Sequence, residues 1–335
     1  MARRPTLDEV ARFAGVGRGT ASRVLNDSPH VSPTARRAVL DAVAALGYVP
    51  NRAARSLVTR RSDTVALVVS EDGDRLFGDP FFARTVRGVT DRLARSRTQL
   101  LLTMTGGTQD RERAAGFLTG QHVDGVILLS LHADDPLPEL LEARGVPTVC
   151  GGRPTAQHPR CVVDADNKSG GRLAVEHLLG IGRRRIAVVA GPQDMSSGHD
   201  RLAGAADAMR AAGLDPTDLT VVVGDYTEES GARAAAELLA GGPAPDGVFA
   251  ASDLMAVGVL RVVREAGLTV PGDLALVGFD DAPLCRHTDP ELTTVRQPVE
   301  EMGRVLADVL LARLDGEDVP RETVLPTHLV VRGSA

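Results

Sequence analysis

The chain lacks tryptophan, carries one lysine and three cysteines, and nowhere runs to the eighteen uninterrupted apolar residues that a membrane-spanning helix requires. Its N-terminus, MARRPTLDEV, has no apolar core of the secretory type, so neither membrane insertion nor export is expected and the chain is placed in the cytoplasm. Cys150, Cys161 and Cys285 are odd in number, show no CxxC spacing and lie in strand-like or buried-loop contexts, which suits small core residues better than disulfide or zinc chemistry. No histidines stand at metal-ligand spacing, so no metal is expected. The Gly-dense stretch Gly15-Val16-Gly17-Arg18-Gly19 follows a helical pattern and misses the GxGxxG spacing of a dinucleotide fold. GxxxxGK[ST] phosphate loops and GxSxG nucleophile elbows are also missing. These gaps argue against an enzyme: no catalytic residues and no cofactor are expected. Lys168 is the only lysine, and the dominance of arginine reads as codon usage of a GC-rich genome.

What is present divides by charge. Residues 1–62 hold eleven arginines against four acidic residues, a net +7, whereas the whole chain is −6, which leaves −13 on residues 63–335. A basic head can gain from counterion release on DNA, while an acidic body is repelled by phosphates, so nucleic-acid contact is confined to one end. With 335 residues, 43% of them hydrophobic, the chain can build such a head and one or two α/β domains.

The head reads as three short helices. Thr6 and Glu9 form a capping box, Leu7, Val10, Ala11 and Ala14 make one apolar stripe, and Gly15 supplies the turn. A second helix over about 18–26 buries Ala21, Val24 and Leu25 and turns Arg18, Ser22 and Arg23 outward, offering guanidinium forks and a hydroxyl. Ser32 caps a third helix with Pro33 at its first position, and Val39, Leu40, Val43 and Leu46 continue the seam to Gly47. This is a helix-turn-helix pattern, which points to double-stranded DNA.

From Thr64 onward, continuous Val/Ile/Leu runs (TVALVVS, QLLLTM, GVILLS, RIAVVAG, TVVVGD, GVFAAS, LALVGF) alternate with helical patterns. That alternation predicts parallel sheets wrapped by helices in two doubly wound halves. Ligands of such sheets bind beyond the carboxyl ends of the strands. Those ends are polar or aromatic: Ser70 and Glu71, 79–82, 164–167, Asp225 and Tyr226, Ser252 and Asp253, and 279–281. Paired carboxylates, the Arg201 fork and the faces of Phe82 and Tyr226 suit a hydroxyl-rich ligand. Asp253 is equally readable as a helix N-cap, Asp164 and Asp281 have the same alternative, and Phe81 is read as core. Arg201 is the hardest of these to explain structurally, because a cation near a helix start opposes the helix dipole and calls for a ligand or a carboxylate partner.

These motifs resemble the LacI/GalR family of bacterial transcription repressors along the whole chain. In the head the match is carried by Thr6, Val10, Ala11, Ala14, Gly15, Val16, Thr20, Ser22, Arg23, Val24, Leu25 and Asn26, and in a hinge by Tyr48, Pro50, Asn51, Ala54, Arg55 and Leu57. In the body it is carried by DPFF at 79–82, DRLAG at 200–204, ASDLMAVG at 251–258, VPGDLALVGFDD at 270–281 and LTTVRQP at 292–298. The departures are Gly17 for the usual Ser N-cap, which costs a helix only about a few tenths of a kcal/mol, Ala21 for Val, and Ser252 for Asn. The resemblance implies an all-α helix-turn-helix headpiece (1–50), a hinge helix and linker (51–62), and an α/β periplasmic-binding-protein-like effector domain (63–335). The latter would consist of an N-subdomain at about 63–164 and 295–322 and a C-subdomain at about 165–294 and 323–335.

It also implies roles. Thr6, Arg18, Gly19, Thr20, Ser22, Arg23, Asn26 and His30 would meet operator DNA, with Arg18 and Arg23 reading bases, and Asn51, Ala54, Arg55 and Leu57 would follow in the hinge. Leu57 would be the minor-groove wedge of a hinge helix too short to form alone. Asp79, Phe82, Arg201, Tyr226, Ser252, Asp253, Asp280 and Gln297 would hold the effector. The expected partners are a palindromic operator, a second copy of the chain in a homodimer or a dimer of dimers, and a mono- or oligosaccharide. Several carboxylates with few cations suit a neutral polyol better than an anionic ligand, and the expected function is repression of carbohydrate genes relieved by a sugar. A corepressor-dependent regulator of another ligand class, a transport binding protein and an enzyme are the rival readings.

Overall fold

The computed structural model describes residues 5–25, 28–49, 61–133, 135–153 and 161–335. It divides into two units, Met1–Ser62 and Asp63–Ala335.

The first unit contains α1 (Leu7–Phe13), α2 (Arg18–Leu25) and α3 (Pro33–Leu46). Its local signals act as the sequence suggests. The Thr6 hydroxyl accepts the Glu9 N–H at 3.3 Å while the Glu9 carboxylate accepts the Thr6 N–H at 2.7 Å. Gly15 takes φ 67°, Ser32 caps α3 through the Ala35 N–H, and Gly47 ends it in the left-handed region. Val10, Ala11, Ala21, Val24, Val39 and Ala42 form the small core. Two residues expected in the seam depart from it: Leu25 is half-buried and Leu40 is exposed. Residue 40 stands about 100° round the helix from Val39, off the line that Val39, Ala42 and Leu46 follow.

The second unit has two lobes. Its elements are β1 (Thr64–Val69), α4 (Gly73–Gly78), α5 (Pro80–Leu93), β2 (Gln99–Met104), α6 (Thr108–Leu118), β3 (Gly125–Leu129), α7 (Leu137–Ala143), β4 (Thr148–Gly151) and β5 (Val162–Ala165). There follow α8 (Asn167–Gly180), β6 (Ile186–Ala190), α9 (Ser196–Ala211), β7 (Thr220–Val223), α10 (Glu228–Ala240), β8 (Gly247–Ala250), α11 (Asp253–Glu265), β9 (Ala275–Phe279) and β10 (Thr293–Arg296). The chain closes with α12 (Val299–Leu314), β11 (Glu322–Leu325) and β12 (His328–Val330). The N-lobe sheet runs β11-β5-β4-β3-β1-β2, all parallel. The C-lobe sheet runs β12-β10-β9-β8-β6-β7, parallel except for β12 on β10.

The central strands of each sheet are covered on both faces, which is why they are almost wholly apolar. In β1, Val65, Leu67 and Val69 enter one core and Ala66 and Val68 the other, the period of two made visible. The chain passes between lobes three times, after Ala165, after Arg296 and after Leu325. The last two passages fall later than the breaks expected at 294 and 322. The reason is strand pairing: Thr293–Arg296 pairs with β9 in the C-lobe, and Glu322–Leu325 pairs with β5 in the N-lobe. Among the described residues no helix is long and apolar enough to cross a membrane, and no group of three or more His, Cys, Asp or Glu is placed to hold a metal ion. Cys150, Cys161 and Cys285 are buried free thiols.

Candidate effector-binding site

Strands of both lobes point their carboxyl ends at one solvent-open cleft of about 690 Å³. Seven of the eight expected effector residues line it: Asp79, Phe82, Arg201, Tyr226, Ser252, Asp280 and Gln297. Arg201, only 5% exposed, is the best-anchored cation. Its Nε donates to Asn167 Oδ1 at 2.9 Å, its Nη1 donates to the Ala251 carbonyl at 2.6 Å, and its guanidinium stacks 3.6 Å from the Phe279 ring centroid. The expected carboxylate partner is Asp280, 3.8 Å away. Helix α9 carries Arg201 close to α8 because Gly171 and Gly204 have no side chains: a Cβ on Gly171 would collide with the Arg201 carbonyl, and one on Gly204 with the Lys168 carbonyl.

Asp280 occupies a backbone conformation foreign to L-residues, φ 116°, followed by Asp281 at φ 49°. Such geometry costs about 1–3 kcal/mol per residue and persists only when its surroundings over-determine it. Here the Asp280 N–H donates to the Val295 carbonyl, the Ala282 N–H donates to Asp253 Oδ2, and Arg84 donates to the carbonyls of Asp280 and Asp281. Burial pushes the Asp280 carboxyl up to about 8; Arg201 opposes this, and Asp253 and Asp79 add to it. Gln297 Nε2 donates to the same carboxylate. Asp164 is likewise raised by burial, to about 6, against the Ala165 N–H and the nearby Arg153 and Arg201. Burial also raises Asp79, which caps α5 through the Phe81 N–H and pairs with Arg75 at 3.2 Å.

Three expectations change. Asp253 does not face the cleft: at 1% exposure, its Oδ1 accepts the Thr294 hydroxyl and its Oδ2 the Ala282 N–H. Nor is it an N-cap, since Ser252 caps α11 through the Met255 N–H and Asp253 is the helix's first residue. Phe81 and Phe82 exchange emphasis. Phe82 touches the cleft but is buried with Val89 and Leu93 in the core, whereas the half-buried Phe81 also lines the cleft. The cleft is also not poor in cations: Arg75, Arg153 and Arg201 match Asp79, Asp164 and Asp280 in number. Asp281, with burial working against its charge, is held below the usual carboxylate range by Arg332 and Arg296.

On the first unit, Arg18, Gly19 and Arg23 of α2 are exposed and Thr20 and Ser22 half-buried; His30 is exposed beyond the helix. Arg23 Nε folds back onto the Gly19 carbonyl, and Arg18 lies 3.5 Å from Asp8. The Thr6 hydroxyl is occupied by its capping box. Asn26, Asn51, Ala54, Arg55 and Leu57 lie outside the described residues.

Comparison with known proteins decides the lineage. Residues 6–51 match the family described as "Bacterial regulatory proteins, lacI family", and residues 175–335 match "Periplasmic binding protein-like domain". The HTH-type transcriptional regulator CelR of Thermobifida fusca is 53% identical over 335 residues, covering 99% of this chain and 98% of that one. The chain belongs to the LacI family. The ribose operon repressor of Escherichia coli K12 is 33% identical, covering 98% of this chain and 99% of its own. Two solved structures extend the likeness. A CelR–cellobiose complex shares 50% identity over 99% of this chain and 100% of its own at a TM-score of 0.78. The Lac repressor dimer bound to operator and the anti-inducer ONPF shares 30% identity over 99% of both chains at a TM-score of 0.88.

As a LacI-family protein, the chain is a DNA-binding transcriptional regulator with an effector domain of periplasmic-binding type. The relatives named are regulators of transcription, not enzymes. Sequence reading missed Arg75, Arg153, Ser130, Met195, Ser197 and Met302 in the cleft wall. Asp72 capping α4 through the Arg75 N–H was the one local signal for the first of them. No local signal marks Ser197, whose hydroxyl lies 2.9 Å from that of Tyr226, 29 positions away.

Proposed function

We propose that the chain represses carbohydrate uptake or catabolism genes as a cytoplasmic homodimer on a palindromic operator, and that a disaccharide of the cellobiose type releases it. One observation carries the sugar reading: Arg201, Asp280, Asn167 and Gln297 form a bonded polar cluster beside the Tyr226 ring in a cleft between two lobes. Fixed donors and acceptors next to an aromatic face match the equatorial hydroxyls and apolar face of a pyranose. The cellobiose bound by the CelR relative supports the choice. Contact with both lobes gives the ligand differential affinity for the closed form, which is what allows it to shift an equilibrium.

The edges β2 and β7 suit a second copy of the chain, and the Lac repressor relative is a dimer. Each exposes apolar side chains, with Met104 41% and Val223 57% exposed. On each headpiece, Arg18 and Arg23 of α2 are assigned the base edges of one half-site, and Thr20, Ser22 and His30 the surrounding contacts. Asn51, Ala54, Arg55 and Leu57 are assigned to a hinge that orders on DNA. Gel shift on the chain's own upstream DNA, at fixed salt and with a sugar panel, tests the reading. Release of a specific complex by cellobiose is the expected result. Specific binding that no sugar alters overturns the effector, tightening by the ligand reverses the sign, and no specific complex at any salt overturns the whole. Sedimentation of the complex separates a dimer from a dimer of dimers.

A further inference from the structure

Two acid–base pairs approach one aromatic ring from opposite lobes. From the C-lobe, Arg201 sits 5.6 Å from the Tyr226 centroid and 3.8 Å from Asp280. From the N-lobe, Arg75 sits 5.4 Å from the same centroid, with its Nη2 3.2 Å from Asp79. The arginines differ in how far the chain itself employs them. Arg201 gives Nε to Asn167 and Nη1 to the Ala251 carbonyl. The Arg75 side chain is only 12% exposed and lines the cleft, yet beyond Asp79 its guanidinium has no hydrogen-bond partner among the described residues. A guanidinium carries five donors, and those that Arg75 leaves unpaired are open to the cleft, where a ligand can take them.

We infer that Arg75 is a specificity-determining residue: with Asp79 it forms a second subsite on the N-lobe that takes the second ring of a disaccharide, while Arg201 and Asp280 take the first. This rests on the sugar-effector reading above. Arg75 reaches the cleft because α4, a six-residue helix begun by Asp72, interrupts the path from β1 to α5. A planar fork beside a carboxylate presents donors and an acceptor to neighbouring ring hydroxyls, and an ammonium cannot reproduce that geometry. A ligand held by both pairs bridges the lobes, so the same contact that selects two rings over one also favours closure.

The test is titration calorimetry of the full-length protein and its Arg75→Met and Arg75→Lys variants with cellobiose and with glucose, alongside melting curves. In Arg75→Met, cellobiose affinity should fall roughly 10–100-fold, the weight of a charged hydrogen bond. Glucose affinity should change by less than about threefold, because one ring occupies the Arg201 end. Arg75→Lys should lose cellobiose affinity too, and it carries the test where Arg75→Met melts early. Unchanged cellobiose affinity in a folded variant, or equal losses for both sugars, overturns the assignment while leaving the sugar-effector reading intact. A wild-type protein that takes up neither sugar overturns both.

Discussion

Replacing Asp253 separates an anchor from a ligand contact. Its carboxylate holds the Ala282 N–H at 2.7 Å and the Thr294 hydroxyl at 2.6 Å, and burial pushes its pKa up to about 6 while Cys285, Thr294 and Ala282 draw it down. In Asp253→Ala the amide and the hydroxyl are left without that acceptor in a buried place, at about 1–3 kcal/mol each. Loss of a desolvated acid offsets part of this, leaving a net destabilisation of about 2–4 kcal/mol, or a melting point lower by roughly 5–15 °C. The loop would also lose one of the bonds that hold Asp280 at φ 116°, so sugar affinity should fall although residue 253 never meets the sugar. Asp253→Asn keeps an oxygen for Ala282 and an amide for Thr294, and should cost less than about 1.5 kcal/mol with sugar binding retained. Calorimetric melting and sugar titration of both variants decide the matter. An Asp253→Ala protein as stable as wild type, or an Asp253→Asn protein that melts normally but no longer binds sugar, would refute the anchoring role.

Two further perturbations probe other links. His132 bridges the lobes, with Nδ1 2.7 Å from Asp194 and Nε2 3.7 Å from Glu71; hydrogen bonding to Glu71, opposed by burial and reinforced by Asp194, raises its pKa to about 9. A raised His pKa contributes stability that is complete below about pH 6.5 and lost as pH climbs to about 9. With the side chain 24% exposed, solvent screening limits this to on the order of 1 kcal/mol. Thermal melts should show that decline in wild type and a flatter, lower profile in His132→Gln; identical profiles would rule the bridge out. Arg18→Ala should reduce discrimination at one base pair of each half-site by about 1–3 kcal/mol, since its ion pair with Asp8 is solvent-exposed and weak. Binding to a panel of single-base operator variants measures this, and full discrimination by the variant removes Arg18 from the base-reading set.

Legibility in the sequence followed the range of the interactions. Local signals were readable: the Thr6–Glu9 box, Gly15, Ser32 with Pro33 and Gly47 each act within four residues, and apolar runs announce strands covered on both faces. Strand-end polarity then located the cleft. What one strand end cannot disclose is where a side chain turns. Asp253 follows β8 as a ligand residue would, yet its acceptors are claimed by Ala282 and Thr294, which lie 29 and 41 positions away. Phe81 and Phe82 are adjacent aromatics whose division between cleft and core depends on the facing of α5, which buries Thr85, Val89 and Leu93 on the side of Phe82. Apart from the Asp72 cap nothing marked Arg75, because α4 is a short detour without an apolar stripe, in a stretch that otherwise reads as loop.

The three passages between lobes also order the birth of the molecule on the ribosome. The C-lobe sheet takes its parallel strands from one unbroken stretch, Ile186 to Arg296, and is joined later only by the antiparallel β12 and the residues that follow it. The N-lobe begins earlier but waits longer. Met302, Leu306 and Leu310 of α12 close one face of its core, and β11 completes its sheet beyond β5. At synthesis rates of about 5–20 residues per second, the interval between β5 and β11 lasts on the order of ten seconds. During that time Val65, Leu67 and Val69 have α5 beside them but lack α12, and a nascent chain is most exposed to aggregation and to chaperones through the face that α12 will later seal.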